Sequence, residues 1–300
     1  MVRFAAAGVT LGLAAGLLHA GSAVAEPVSC APARSEVMSA AETPDLDWAE
    51  GLGYDGNGDL WVTRVRRNEV QRYDATGRIT ATVAVPSPGA IKLGPDGRMY
   101  VTYGNSLSNL TPGSSGGGVV RIDPDAAAPT AEPFADGLGM ANGLAFGPGG
   151  ELYVADTSAG IIRIRPDGSV DREWSSLARN FGADGLASDG DALYVTLYLS
   201  PTGRVLRVPI ADPAHPAIVA DLAATIGLPS LPDDLARTGD GSLYDATTTG
   251  HLVRIDPATH AACTVLTGGG MTAVAVPPGS YHDLLVATTR GDLLHVHLDS

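Results

Sequence analysis

One frame recurs along this chain and constrains its fold more than any other feature. AEGLGYDGNGDLWVT, GMANGLAFGPGGELYVADT, ADGLASDGDALYVT and PDDLARTGDGSLYDA each place a short alternating stretch on either side of a Gly-rich turn. The turns are DGNG (55–58), GPDG (94–97), GPGG (147–150), SDGD (188–191), TGDG (238–241) and PPGS (277–280). Alternating apolar runs flanking such turns predict antiparallel hairpins. The second strands read LWVTRV, MYVTYG, LYVADT, LYVTLY, LYDATT and LLVATT, and each is followed by a third, such as EVQRYD, VVRID or LLHVHL. Most third strands meet a further turn before a fourth. The units begin near Ala49, Gly89, Ala141, Ala183, Pro232 and Met271, a period of roughly 40–50 residues. Four antiparallel strands at that period describe a propeller blade. The expected fold is therefore all-β, a six-bladed β-propeller. The sixth unit ends after its third strand, so a strand over residues 34–40 is expected to complete it and close the ring, which leaves no open sheet edge.

The innermost strand of every blade lines the central channel, and its first residues meet around one axis. Aligned on the Gly-Leu frame, that position holds Glu50, Gly89, Asn142, Asp184, Asp233 and Thr272 in blade order. Carboxylates gathered without a counter-charge repel one another and resist ionisation. No lysine, arginine or histidine occupies the position in any blade. A bound cation is the simple remedy, with a water-filled polar channel as the alternative. Glu50, Asn142, Asp184 and Asp233 offer only hard oxygen donors, which suit Ca²⁺ best and also admit Mg²⁺ or Mn²⁺; a zinc set of His and Cys is missing there.

Residues 1–25 carry one early charge, Arg3, then an apolar run ending Ala-Val-Ala, the pattern of a secretory leader. An uncleaved anchor is the alternative, though the run is short and broken by glycine. Residues 26–300 then form one domain, expected to be secreted, monomeric and free of the membrane. The formal charge of −14 becomes −15 once Arg3 is removed, which excludes a nucleic-acid partner. Of 19 basic residues only Lys92 is a lysine, read as compositional bias. Two cysteines in an exported chain predict one disulfide, Cys30 to Cys263, against two free thiols. No G-x-S-x-G elbow is present, and no helix start follows the glycine clusters, so neither serine-hydrolase nor phosphate-loop chemistry is indicated.

AEGL in blade one, ANGLAF with LYVADT in blade three, ADGLA in blade four and PDDLA in blade five resemble the SMP-30/gluconolactonase family, relatives of diisopropylfluorophosphatases and paraoxonases. The resemblance spans the mature chain. It implies a divalent ion at the channel mouth held by Glu50, Asn142, Asp184 and Asp233, and hydrolysis of a small-molecule lactone or ester. The family has a neutral Asn in blade four, where this chain has Asp184, so either three carboxylates leave a filled site at −1, with a tighter-held ion that is a weaker Lewis acid, or one carboxyl stays protonated. The implied mechanism has the ion polarise the carbonyl while Asp233 serves as base or nucleophile. Asp234 ranks second, since its side chain should point away along the strand.

Loops after the second strands should choose the substrate. Arg64, with Arg66 or Arg67 as alternatives, Tyr103, Asn105, Tyr198 and His251 are the candidate contacts, and the Gly/Ser-rich 112–118 stretch is read as either a lid or a solvated loop. His295 and His297 alternate on an outer strand and are read as surface. The alternative functions are a non-catalytic binding propeller of the NHL type and a strictosidine-synthase-like biosynthetic propeller. Retention of the four oxygen donors speaks against the latter.

Overall fold

The computed structural model describes Met1 and residues 30–298; the expected leader over residues 1–25 falls, after Met1, outside them. Six antiparallel sheets stand around one axis. Strand β1 (Arg34–Ser39) comes first, and blade one follows with β2 (Ala49–Tyr54), β3 (Leu60–Arg64), β4 (Glu69–Tyr73) and β5 (Ile79–Ala84). Blade two has β6 (Ile91–Leu93), β7 (Met99–Tyr103), β8 (Gly117–Ile122) and β9 (Ala131–Leu138). Blade three has β10 (Ala141–Phe146), β11 (Leu152–Asp156) and β12 (Gly160–Ile164). Blade four has β13 (Ala183–Ser188), β14 (Ala192–Leu197), β15 (Arg204–Pro209) and β16 (Ala217–Asp221). Blade five has β17 (Pro232–Arg237), β18 (Leu243–Thr247), β19 (His251–Ile255) and β20 (Ala262–Thr267). Blade six has β21 (Met271–Ala275), β22 (Asp283–Thr288) and β23 (Leu293–His297).

The hairpin turns form because an aspartate accepts from the backbone beyond it. Asp55 Oδ1 takes the Asn57 and Asp59 amides at 2.9 and 3.0 Å. Asp189 Oδ1 takes those of Asp191 and Ala192 at 2.9 and 2.7 Å. The alternating side chains then pack between blades rather than within them. Leu186, Leu193 and Val195 of blade four meet Ala145, Tyr153 and Ile161 of blade three in one buried cluster. Leu52 and Val62 of blade one meet Ala273, Leu285 and Leu293 of blade six, so the ring is closed by apolar contact as well as by strand pairing.

Blade three departs from the expected four strands. Beyond the turn at 166–168 a single bridge, Ile164 to Val170, stands where a fourth strand would. The sequence DREWSSL has no alternation; Asp171 caps helix α1 (Arg172–Leu177) by accepting the Trp174 amide at 3.2 Å. Trp174 then covers the blade edge, packed on Tyr153.

Closure follows the expected route: β1 adds to β23 as the outer strand of blade six, with Arg34 opposite His297 and Glu36 opposite His295. Residues 34–38 are nevertheless exposed, so little apolar burial holds this strand. Cys30 and Cys263 are joined, tying its approach to blade five. Arg64 rivets the same junction: it is buried, donating to the Asp47 and Gly291 carbonyls at 2.6 and 2.8 Å and to Tyr73 Oη at 2.8 Å. Replacing both cysteines by serine is expected to lower the unfolding free energy of the mature chain by about 2–4 kcal/mol, read from urea denaturation.

Candidate functional site

The repeated frame sets the hub through a β-bulge. In blade one Ala49 faces Arg64 and Gly51 faces Thr63, leaving Glu50 as the extra residue. The register slips likewise between Ala141 and Leu144, between Ala183 and Leu186, between Pro232 and Asp234, and between Met271 and Ala273. Asn142, Asp184, Asp233 and Thr272 therefore lie within the bulges. A bulge re-aims a side chain out of the strand's alternation, which is how one residue per blade is turned towards the axis.

The glycine after the bulge is a requirement of close approach. A Cβ on Gly51 would lie 2.6 Å from the Gly89 oxygen, on Gly143 2.1 Å from the Asp184 oxygen, and on Gly185 2.6 Å from the Asp233 oxygen. Threonines of the second strands then pin the next blade's bulge. Thr63 Oγ1 donates to the Gly89 carbonyl at 2.6 Å, Thr102 to Asn142 at 2.5 Å and Thr196 to Asp233 at 2.7 Å. The LWVT, MYVT and LYVT motifs thus hold hub backbone in place across blade boundaries.

Glu50, Asn142, Asp184 and Asp233 are all buried and line one cavity of about 610 Å³. Burial pushes the Asp184 carboxyl well above the usual carboxylate range, and the Glu50 and Asp234 charges push it further. Asp233 is raised by burial first, then by Glu50 and Asp184. Glu50 is raised by burial and partly relieved by bonds from Trp48, Asn105 and Asn142. Asn142 stands beside both Glu50 and Asp184 and acts against burial, lowering the two carboxyls. Asp184 Oδ1 is buried with no hydrogen-bond partner. Lys92 sits at the opposite channel mouth, donating to the Leu52 carbonyl at 3.2 Å, and its charge acts on Asp234.

These residues fit a hard divalent cation. Their donors are all oxygen, one buried oxygen is orphaned, and three carboxylates face one cavity with only acidic charges acting on them. Glu50, Asp184 and Asp233 do not all approach within 4.8 Å of one another. A flexible shell of about six to eight oxygen ligands, completed by water, suits such a set better than a tetrahedral one.

Of the expected substrate contacts, Asn105 and Tyr198 line the cavity, and Arg64, Tyr103 and His251 do not. Gly104, at a φ of 82°, turns the chain so that Asn105 Nδ2 donates to Glu50 Oε1 at 2.7 Å. Blade two, with glycine at its bulge position, thereby reaches the site from above. Tyr198 Oη pairs with Thr248 Oγ1 at 3.1 Å. Arg64 is the structural rivet already described; Arg66 takes the cavity rim instead, 4.5 Å over the Trp48 ring. His251 Nδ1 faces Thr249 Oγ1 on the third strand. The expected lid stretch, 112–118, follows a short 3-10 turn, Leu107–Asn109, is tied to it by Ser114 Oγ donating to Asn109 Oδ1 at 2.8 Å, and runs into β8 from Gly117. Apolar walls from Leu107, Leu110, Met140 and Leu199, with Trp48, were not singled out by sequence pattern, because loop residues carry no periodicity.

Two further acids stand behind the site. Asp234 occupies the place of the close-approach glycine and points to blade six, accepting the Val274 amide at 3.2 Å. Asp245 replaces the valine found as Val62, Val101, Val154, Val195 and Val286 in the other blades. It is fully buried, and neither carboxyl oxygen has a partner.

No protein-family model matches the chain, and no curated protein matches it significantly. Solved structures do. A gluconolactonase from Xanthomonas campestris aligns with a TM-score of 0.69 at 17% identity, covering 89% of this chain and 90% of its own. The calcium-binding protein regucalcin from Agrobacterium tumefaciens aligns at 0.67 and 19%, covering 90% and 96%. A PQQ-bound aldose sugar dehydrogenase from Streptomyces coelicolor aligns at 0.65 and 20%, covering 91% and 100%. These likenesses establish the propeller fold and its kinship in shape to gluconolactonase and regucalcin propellers. Since the same fold carries a dehydrogenase, shape alone does not select a reaction.

Burial pushes the Asp245 carboxyl well above the usual range, and Asp234 adds to it. A raised native pKa favours folding only while both states are protonated, and the benefit is lost as pH rises past the unfolded value near about 4. Asp245→Val is therefore expected to stabilise the chain by about 1–3 kcal/mol at pH 7, with a smaller gain at pH 4, in urea titrations run with chelator.

Proposed function

We propose that this chain is a divalent-metal-dependent hydrolase of a lactone or related ester, of the SMP-30/gluconolactonase type, with Ca²⁺ as its ion. The observation that carries this reading is the convergence of Glu50, Asn142, Asp184 and Asp233 on one cavity, buried and without a basic partner acting on the carboxylates. The likeness in fold to a gluconolactonase and to a calcium-binding regucalcin supports it. Glu50, Asn142, Asp184 and Asp233 would hold the ion, which when bound supplies a Lewis acid to a substrate carbonyl.

The chain's own residues do the rest. Asp233 lines the cavity and has a carboxyl that burial makes readier to take a proton, as a general base requires. In the hydrolytic step water oxygen bonds to the carbonyl carbon as Asp233 accepts its proton. The ring C–O bond then breaks, and the proton returns to the departing alkoxide oxygen. Asn105 and Trp48 donate to Glu50, orient it and favour its ionised form against the effect of burial. The Tyr198 phenol is raised by burial and so stays protonated as a donor at neutral pH.

The cavity also narrows the substrate. Its floor is acidic while its walls are Leu107, Leu110, Met140, Leu199 and Trp48. A neutral ester or lactone with an apolar portion fits such a site better than an anionic or highly hydroxylated one. Export is supported by the leader pattern in the sequence and by the Cys30–Cys263 disulfide. Among the described residues no helix is long and apolar enough to cross a membrane.

The test is turnover of a panel of lactones and aryl esters. Chelation is expected to abolish activity and Ca²⁺ to restore it. Asp233→Asn is expected to lower kcat by about 10²–10⁴-fold with the near-UV spectrum unchanged. Activity untouched by either treatment contradicts the reading, and a complete lack of turnover favours a binding propeller.

A further inference from the structure

His295 and His297 lie two residues apart on β23, so their side chains leave the same face of the sheet. Their ring centroids are 4.2 Å apart. The ladder sets Glu36 of β1 beside His295 on one side and Asp283 of β22 beside His297 on the other. Three adjacent strands thus bring two imidazoles and two carboxylates onto one patch, remote in sequence from the hub residues.

Glu36 Oε1 lies 3.6 Å from His295 Nδ1 and 3.9 Å from His297 Nε2. In a tetrahedral zinc site with bonds near 2.0–2.1 Å, neighbouring donors stand about 3.4 Å apart. Both distances from Glu36 are already close to that spacing, all three groups offer ligand atoms within 4.8 Å of one another, and the imidazoles are partly exposed, open to an entering ion.

A second observation points the same way. Asp283 Oδ1 is 2.7 Å from His297 Nδ1 and 3.4 Å from His295 Nε2. An ionised carboxylate only accepts, so in the neutral imidazole the His297 proton sits on Nδ1 and the Nε2 lone pair is left for a ligand on the Glu36 side. A carboxylate holding the far nitrogen of an imidazole is the arrangement that orients histidine metal ligands.

We propose that Glu36, His295 and His297 bind one Zn²⁺-class ion, oriented by Asp283, and that this ion clamps the closing strand β1 to blade six. Imidazole with carboxylate suits zinc rather than calcium, which prefers an all-oxygen shell. The clamp falls on a strand with little packing of its own, because residues 34–38 are exposed and contribute little apolar contact. It would work beside the disulfide, which holds the chain only at Cys30.

The test uses the oxidised mature chain without an affinity tag, in millimolar Ca²⁺ so that the hub is not available to zinc. Calorimetric titration with Zn²⁺ is expected to show one ion per chain. Zinc should raise Tm by several degrees and slow hydrogen exchange of the β1 amides. The double variant His295→Ala with His297→Ala should lose this binding step, and Asp283→Asn should weaken it about 10–100-fold. Glu36→Gln, a fully surface change that leaves the fold intact, should remove the β1 protection. The proposal is overturned if wild type takes up no zinc, if the double variant binds as wild type does, or if β1 exchange is indifferent to zinc.

Discussion

Three carboxylates face one buried cavity at the axis of this molecule, and their mutual repulsion is the constraint around which the hub is built. In water such groups would separate. Here they are fixed by backbone: each sits in a bulge, each bulge is pressed against its neighbour at a distance that admits only glycine after Glu50, Asn142 and Asp184, and threonines lock the carbonyls from the adjacent blade. A scaffold that holds like charges together so firmly is preorganised for an opposite charge, and all the available donors are hard oxygens.

Asp184 sets the character of that site. In the proposed metal site two carboxylates would neutralise a divalent ion; with Asp184 as a third, either the ion is held more tightly and polarises a carbonyl less, or one carboxyl stays protonated. Asp234 and Asp245 also lie buried near the hub, where burial disfavours their ionisation and Lys92, at the far mouth, partly offsets this for Asp234.

The repeat made most of this legible before any coordinates. The starts of five inner strands, at Ala49, Ala141, Ala183, Pro232 and Met271, coincide with the repeat units, because strand period and turn residues are local properties. The variable hub position was readable for the same reason. What escaped depended on distant partners. Arg64, in a loop-edge position typical of a substrate contact, is consumed by carbonyls of Asp47 and Gly291, the latter 227 residues away. The fourth strand of blade three gave way to α1 because Asp171 offers a helix cap where the alternation stops. His295 and His297 looked like ordinary surface, and only the pairing of β1 with β23 sets Glu36 beside them. Asp245 is visible as a break in the LYV pattern, yet its lack of partners is a tertiary fact.

Ring closure and hub chemistry are linked by this geometry. The bulges converge only if six blades close, and closure rests on an exposed strand held by its ladder, by Cys30–Cys263 and by the Arg64 rivet between blades one and six. The most direct measurement of the central claim is anomalous diffraction from crystals of the mature chain grown with Ca²⁺ or Mn²⁺. One peak is expected in the hub cavity, within about 2.3–2.6 Å of oxygens from Glu50, Asn142, Asp184 and Asp233 for calcium. Featureless density there, with the carboxyls protonated and bonded directly to one another, would contradict the account.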